Sequence, residues 1–143
     1  MTCIAWDGMT LAADKRSCGG SLINTVTKIH RVGDVLVGGS GEVAFIGQMI
    51  AWVRMGRDPA AFPASQSNKE DWQPLLVIEK DGTTSIYERT PFPIRYEQRH
   101  VAIGSGRDYA RAAMHIGLDA RQAVQVAIDI DCSCGNGIDV LEL

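Results

Sequence analysis

The sequence predicts an α+β fold: a four-layer αββα sandwich, with two antiparallel sheets packed together and helices over their outer faces. Three observations predict it. The turn dipeptides Asp7-Gly8, Gly33-Asp34 and Asp81-Gly82 each separate two apolar runs, the signal of antiparallel hairpins whose primed turns need positive φ. Three helical stretches carry apolar residues on one side. The order is strands, helix, strands, two helices, strand, unlike the alternation of a doubly wound parallel sheet. The 143 residues suit one domain, 1–143, with a core of its own.

The elements follow in order. A two-residue Asp7-Gly8 loop pairs residues 3–6 with 9–13, so Trp6 faces Met9, Thr2 faces Ala13, and Asp14 lies one step beyond. A loop at Gly19-Gly20-Ser21 leads to the second hairpin, 28–32 with 35–37, and Asp81-Gly82 joins 75–79 to 83–87. The first helix covers 42–55, with Ile46, Met49, Ile50 and Val53 at i, i+3, i+4 and i+7. Residues 56–73, with Pro59, Pro63 and Ser65-Gln66-Ser67-Asn68, read as loop. The second helix follows Gly104-Ser105-Gly106 with Tyr109, Ala113 and Ile116 on one side, Ser105 as N-cap and Gly117 as C-cap. The third starts at Asp119, with Gln122 placed for a capping box and Ala120, Ala123, Val124, Ala127 and Ile128 inward. A last strand is expected at 137–143.

Composition narrows the function. Lys and Arg total 14 against 17 Asp and Glu, a net charge of -3 with no basic block, which argues against a nucleic-acid partner. No apolar run reaches membrane-spanning length, and no charged leader precedes an apolar stretch, so no membrane association and a cytoplasmic location are expected. Cys3, Cys18, Cys132 and Cys134 lack zinc-knuckle spacing. They are expected to be small, buried, reduced thiols, with no metal and no cofactor.

Chemistry concentrates at the start of the chain. The sequence opens Met1-Thr2. Removal of Met1 leaves Thr2 with an α-amine of pKa about 8 beside its own hydroxyl, the nucleophile and base pair of N-terminal threonine catalysis. The first hairpin brings Asp14 to the same end of the sheet, although strict strand alternation aims it away from Thr2. A lysine such as Lys28 near Thr2 would favour the alkoxide and lower the pKa of the amine, and Asp14 could hold it in place. Residues 129–137 form a polar, glycine-rich turn before the last strand.

These residues resemble a known family. Residues 2–8 and 11–14 are similar to the start of mature 20S proteasome β-subunits and of HslV, the bacterial peptidase that works with an ATPase ring. Lys28-Ile29-His30-Arg31-Val32 and Gly38-Gly39-Ser40-Gly41 resemble the family's lysine strand and the glycine turn before its first helix. Ala102-Ile103-Gly104-Ser105-Gly106 resembles its entry to a later helix, and Asp131 through Gly135 its Asp-x-x-Ser-Gly-Gly turn.

The resemblance implies the N-terminal-nucleophile hydrolase fold and a threonine endopeptidase. Thr2 becomes the nucleophile, Asp14 and Lys28 its electrostatic partners, and Ser105 and Asp131 groups around the amine. An oxyanion donor is placed at Gly39, Ser40 or Gly41. Cys18, Gly19 and Gly20 lie in the loop where the family binds side chains, and their small size suggests room for a bulky or apolar substrate residue. A homo-oligomeric ring, polypeptide substrates and an AAA+ ATPase unfoldase are the implied partners. Three departures stand out: Cys134 in place of serine, a short 56–73 stretch that implies loss of a helix, and no propeptide beyond Met1, as in HslV-like subunits. The alternatives are a non-catalytic structural or assembly subunit and a small-molecule amidase of the same fold.

Overall fold

The computed structural model describes residues 1–64 and 72–143. The first hairpin joins β1 (Ile4–Trp6) to β2 (Thr10–Asp14). A second, β3 (Arg16–Gly19) with β4 (Leu22–Thr25), stands as a separate two-stranded ribbon. Then come β5 (Ile29–Val32), β6 (Val35–Gly39), α1 (Val43–Arg54), β7 (Leu75–Ile78), β8 (Thr84–Tyr87), β9 (Ile94–Tyr96) and β10 (Val101–Ile103). Helices α2 (Arg107–His115) and α3 (Ala120–Ile130) precede β11 (Ile138–Glu142). One sheet has the order β10-β1-β2-β11 and the other β5-β6-β7-β8-β9, with antiparallel pairing throughout.

Strand alternation divides the interior into three apolar layers. Ile4, Trp6, Leu11 and Ala13 of the four-stranded sheet meet Ile29, Leu36, Leu76, Ile78 and Ile86 of the five-stranded sheet. The other face of the first sheet carries Cys3, Ala5 and Ala12 against Ala110, Ala113 and Met114 of α2 and Ala123, Val124 and Ala127 of α3. The other face of the second packs Val37, Leu75 and Val77 under Phe45, Ile46, Met49 and Trp52 of α1. Small residues in the first set let α2 and α3 lie close to the sheet, while larger ones hold α1. This is the αββα sandwich expected from the element order.

Several local expectations are corrected. Trp6 faces Leu11, not Met9, and Asp7 N–H donates to the Thr10 carbonyl at 3.2 Å, so the first loop is Gly8-Met9. Gly8 has φ +100°, at the loop position where glycine is favoured. The cause is the Asp7 side chain: Oδ1 accepts from the amides of Met9 (2.9 Å) and Thr10 (2.8 Å), closing a side-chain turn that pulls Asp7 out of the loop centre. The third hairpin turns through Lys80-Asp81-Gly82, because Glu79 pairs with Thr83. The Gly33-Asp34 turn is as expected. On α2 the buried stripe is Ala110, Ala113 and Met114, with Tyr109 and Ile116 outside. The α3 capping box of Asp119 and Gln122 is formed, and Gly117, at φ +108°, follows the C-cap of α2. Of the expected loop, residues 56–64 hold one 3₁₀ turn, Pro59–Ala61, and residues 72–73 carry no helix or strand, while residues 65–71, including Ser65-Gln66-Ser67-Asn68, lie outside the described residues.

Asp7 also ties the hairpin to the helices, since Oδ2 accepts from the Ala120 amide at 2.9 Å. Burial pushes its carboxyl up, but the amides of Ala120, Thr10 and Met9 and the Arg99 charge outweigh that and hold it below the usual range. A lowered folded-state pKa gives stability that is complete above about pH 4 and lost as pH falls through the folded value. Asp7→Ala is expected to lower stability by about 2–4 kcal/mol, because three amides lose a charged acceptor. Asp7→Asn is expected to remove the acid-side component and also to cost the hydrogen bond from Ala120, because its single oxygen cannot accept on both sides. Denaturant melts at pH 7 and along an acid series check both.

Candidate active site

The open ends of β1 and β2 bring the expected residues together. Thr2 precedes β1 and is buried. Its N–H donates to Ser105 Oγ at 3.2 Å, and its carbonyl accepts from the Gly106 amide at 3.1 Å. Ser105 is therefore not the N-cap of α2; Gly106 holds that position without a side-chain bond, and the Ser105 hydroxyl turns to Thr2. Gly104 makes the approach feasible. It has φ +94°, and a Cβ there would lie 2.0 Å from the Thr2 carbonyl oxygen.

Asp14 ends β2 and is fully buried. The register shift sets it opposite Cys3, whose carbonyl accepts from the Asp14 amide at 3.1 Å. Asp14 Oδ1 accepts from the Cys3 amide at 2.9 Å and from Lys28 Nζ at 2.8 Å. Oδ2 accepts from the amides of Gly135 at 3.0 Å and Arg16 at 3.2 Å. Alternation does place Asp14 on the helix side, with Ala12. It serves the site through Lys28 and the backbone after Thr2. The Lys28 side chain is only 7% exposed, and Nζ also donates to the Met1 carbonyl at 3.1 Å, the group bonded to the Thr2 nitrogen.

The turn after α3 closes the far side. The Asp131 carboxyl is held below its usual range by the Ser133 amide, with the Ser105 hydroxyl and Cys134 thiol adding to the effect. Cys134 Sγ lies 3.5 Å from Asp131 Oδ2 and 4.0 Å from Ser105 Oγ. A thiol thus stands between the acid and the serine that holds Thr2. Burial and the nearby Asp14 and Asp131 charges push that thiol up to about 12, so it stays protonated and serves as a donor. Burial likewise pushes the Cys3 thiol well up.

A cleft of about 280 Å³ opens beside Thr2. One wall is β3, through Arg16, Ser17 and Cys18; the other is α1, through Val43, Ile46 and Ile50. Gly39 and Gly41 line it, whereas the Ser40 amide is bonded to the Pro74 carbonyl at 3.1 Å. Gly39 allows α1 to approach β6, since a Cβ would meet Ile46 Cγ2 at 2.4 Å. Gly19 and Gly20 belong to the tip of the β3–β4 hairpin, outside the lining. Cys18 and Cys132 are exposed, so only Cys3 and Cys134 match the expectation of buried thiols. Among the described residues no cluster suits a metal ion.

Sequence reasoning missed Arg16 and Asn136. Arg16 Nη1 donates to the Cys132 carbonyl at 2.7 Å and Nε to Asn136 Oδ1 at 3.1 Å, clamping the turn that supplies the Gly135 amide to Asp14. The available signal was position: Arg16 lies two residues past Asp14, and Asn136-Gly137 is a turn dipeptide, both residues having positive φ.

No protein-family model and no curated protein matches the sequence. Solved structures do match. BPH from Thiobacillus denitrificans in complex with Epoxomicin superposes with a TM-score of 0.73 at 20% identity, covering 100% of this chain and 99% of that one. BPH alone gives 0.71 at 20% identity, over 100% and 98%. Eukaryotic HslV from Trypanosoma brucei gives 0.63 at 23% identity, over 100% of both chains. The chain has the αββα fold of HslV and BPH. In this chain the open end of the central strands of the sandwich holds Thr2, beside the cleft.

Two outcomes follow from this geometry. Gly104→Ala is expected to cost about 2–4 kcal/mol, from a side chain at positive φ driven into backbone, measured by denaturant melts. Brief iodoacetamide treatment of the folded protein at pH 8 is expected to alkylate Cys18 and Cys132 and to spare Cys3 and Cys134, read by peptide mass spectrometry.

Proposed function

We propose that this protein is a threonine endopeptidase whose nucleophile is Thr2, exposed by removal of Met1. The observation that carries this reading is the buried Lys28 ammonium, pinned by Asp14 and reaching the peptide unit that joins Met1 to Thr2. A fixed cation there serves a hydroxyl that must carry negative charge during attack.

In the reaction, the Thr2 hydroxyl adds to the carbonyl carbon of the scissile peptide and its proton passes to the Thr2 amine. The Thr2 nitrogen, which as a peptide amide donates to Ser105 Oγ, becomes the amine on removal of Met1 and is oriented there by the Ser105, Cys134 and Asp131 group. A backbone N–H at Gly39 or Gly41 stabilises the oxyanion; the Ser40 amide is engaged elsewhere. The protonated amine then donates to the departing amino group, leaving an ester on Thr2. Water, deprotonated by the same amine, hydrolyses that ester and frees the acid product. Asp14 holds Lys28 in place without touching the reacting atoms. In this reading the protein works as a homo-oligomeric ring in the cytoplasm, with polypeptides delivered by an AAA+ unfoldase. BPH, of the same fold, has been solved with Epoxomicin, which supports the choice of an epoxyketone as probe.

Thr2→Ala is expected to abolish peptide hydrolysis with folding intact, and Lys28→Ala to reduce kcat/KM by at least about 100-fold. Mass measurement of the N-terminus and of the epoxyketone adduct completes the test. Full activity in Thr2→Ala removes the nucleophile. An intact Met1 in the working protein leaves the structural-subunit reading.

A further inference from the structure

The chemistry of the cleft walls is lopsided. Among the described residues lining it there is no aspartate or glutamate, whereas Arg16, Lys28 and His30 all face it. The three bases differ in what answers them. The Lys28 charge is matched by Asp14 at 2.8 Å. Arg16 is held by neutral acceptors, the Cys132 carbonyl and the Asn136 amide oxygen, and makes no salt bridge among the described residues. His30 is half-buried in the β5–β6 pair, and no hydrogen bond or ion pair engages its side chain among the described residues. The nearby acids are already committed: Asp14 to Lys28 and three amides, Asp131 to the Ser133 amide and the Cys134 thiol.

Position gives His30 its meaning. Lys28 and His30 are two residues apart on extended chain, so their side chains leave the same side of the strand about 6–7 Å apart. Lys28 marks the point of attack, and His30 lies one repeat further into the cleft. A glutamate side chain on the attacked residue spans that interval. The walls alongside it, Val26, Val43, Ile46 and Ile50, suit its methylenes and exclude water. An imidazole N–H can donate to a carboxylate in either protonation state. Arg16 adds an uncancelled positive field that opposes lysine or arginine in the same place.

We propose that this cleft selects an acidic side chain on the residue whose carbonyl Thr2 attacks, with His30 as the selecting group. This rests on the peptidase reading and gives that site a substrate class: peptides cleaved after glutamate. It replaces the expectation, drawn from Cys18, Gly19 and Gly20, that a bulky or apolar residue is preferred.

The test uses the full-length protein with Met1 removed and three fluorogenic tetrapeptides differing only in the attacked residue: Glu, Leu or Arg. The glutamyl peptide is expected to exceed the arginyl peptide in kcat/KM by at least about tenfold. His30→Leu is expected to lower the glutamyl value by about tenfold and to leave the leucyl value within about twofold. His30→Glu is expected to favour the arginyl peptide. A wild-type preference for leucine or arginine, or an equal fall of all three rates in His30→Leu, overturns the assignment. Turnover in the wrong order with Thr2 labelled by the epoxyketone sinks the specificity alone. No turnover of any peptide and no labelling of Thr2 sinks the peptidase reading with it.

Discussion

The ion pair between Asp14 and Lys28 is the constraint on which the rest depends. Asp14 ends β2 of one sheet and Lys28 immediately precedes β5 of the other, and both side chains are withdrawn from solvent. A charge in that position is tolerated only when it is fully paired. Asp14 meets the condition with four donors, one for each direction in which its oxygens can accept. Breaking one side of such a pair leaves the other charge stranded, at a cost of about 3–5 kcal/mol. The pair therefore fixes where the two sheets meet at this end, and with them the first peptide units of the chain.

Everything around Thr2 is arranged with respect to that pair. The Cys3 amide, one bond beyond Thr2, is tied to the Asp14 oxygen that holds Lys28. The Gly135 amide reaches the second oxygen and carries with it the turn containing Asp131 and Cys134. Arg16 and Asn136 brace that turn against the β3–β4 ribbon, Asn136 donating to Asn24 O and Thr25 Oγ1. Helix α2 enters the site through Gly104 and Ser105, and a missing Cβ decides how near it comes. The cleft is bounded by the ribbon on one side and α1 on the other, so residues distant in sequence set its chemistry. Packing of small side chains beneath α2 and α3 keeps this end of the sandwich tight.

Much of this was legible in the chain, for local reasons. Glycine at positive φ marked the turns, and Asp119 with Gln122 marked the start of α3. The i, i+3, i+4 pattern of α1 named its buried face because that helix packs a broad apolar surface on the sheet. The same reasoning misread α2, where alanines rather than the larger Tyr109 and Ile116 face inward. Close packing against a sheet favours small side chains, and hydrophobic size is then a poor guide to burial. The first hairpin slipped by one position on each strand because a tertiary bond, Asp7 to Ala120, joins two local ones in taking Asp7 out of the turn. Ser105 could be read as a cap until the fold brought the Thr2 amide to its hydroxyl.

By itself, then, the sequence determined the layer architecture and the short list of residues with chemistry to offer. Those follow from periodicity, turn residues and side-chain type, all of which act within a few residues of one another. The tertiary structure alone decided how those residues meet: the Asp14 oxygens shared between Lys28 and three amides, Cys134 between Asp131 and Ser105, His30 and Arg16 in a cleft without carboxylates among its described lining residues. Such pairings join positions up to more than a hundred residues apart. Their geometry depends on sheet register and on close approach at single glycines, which no local pattern records.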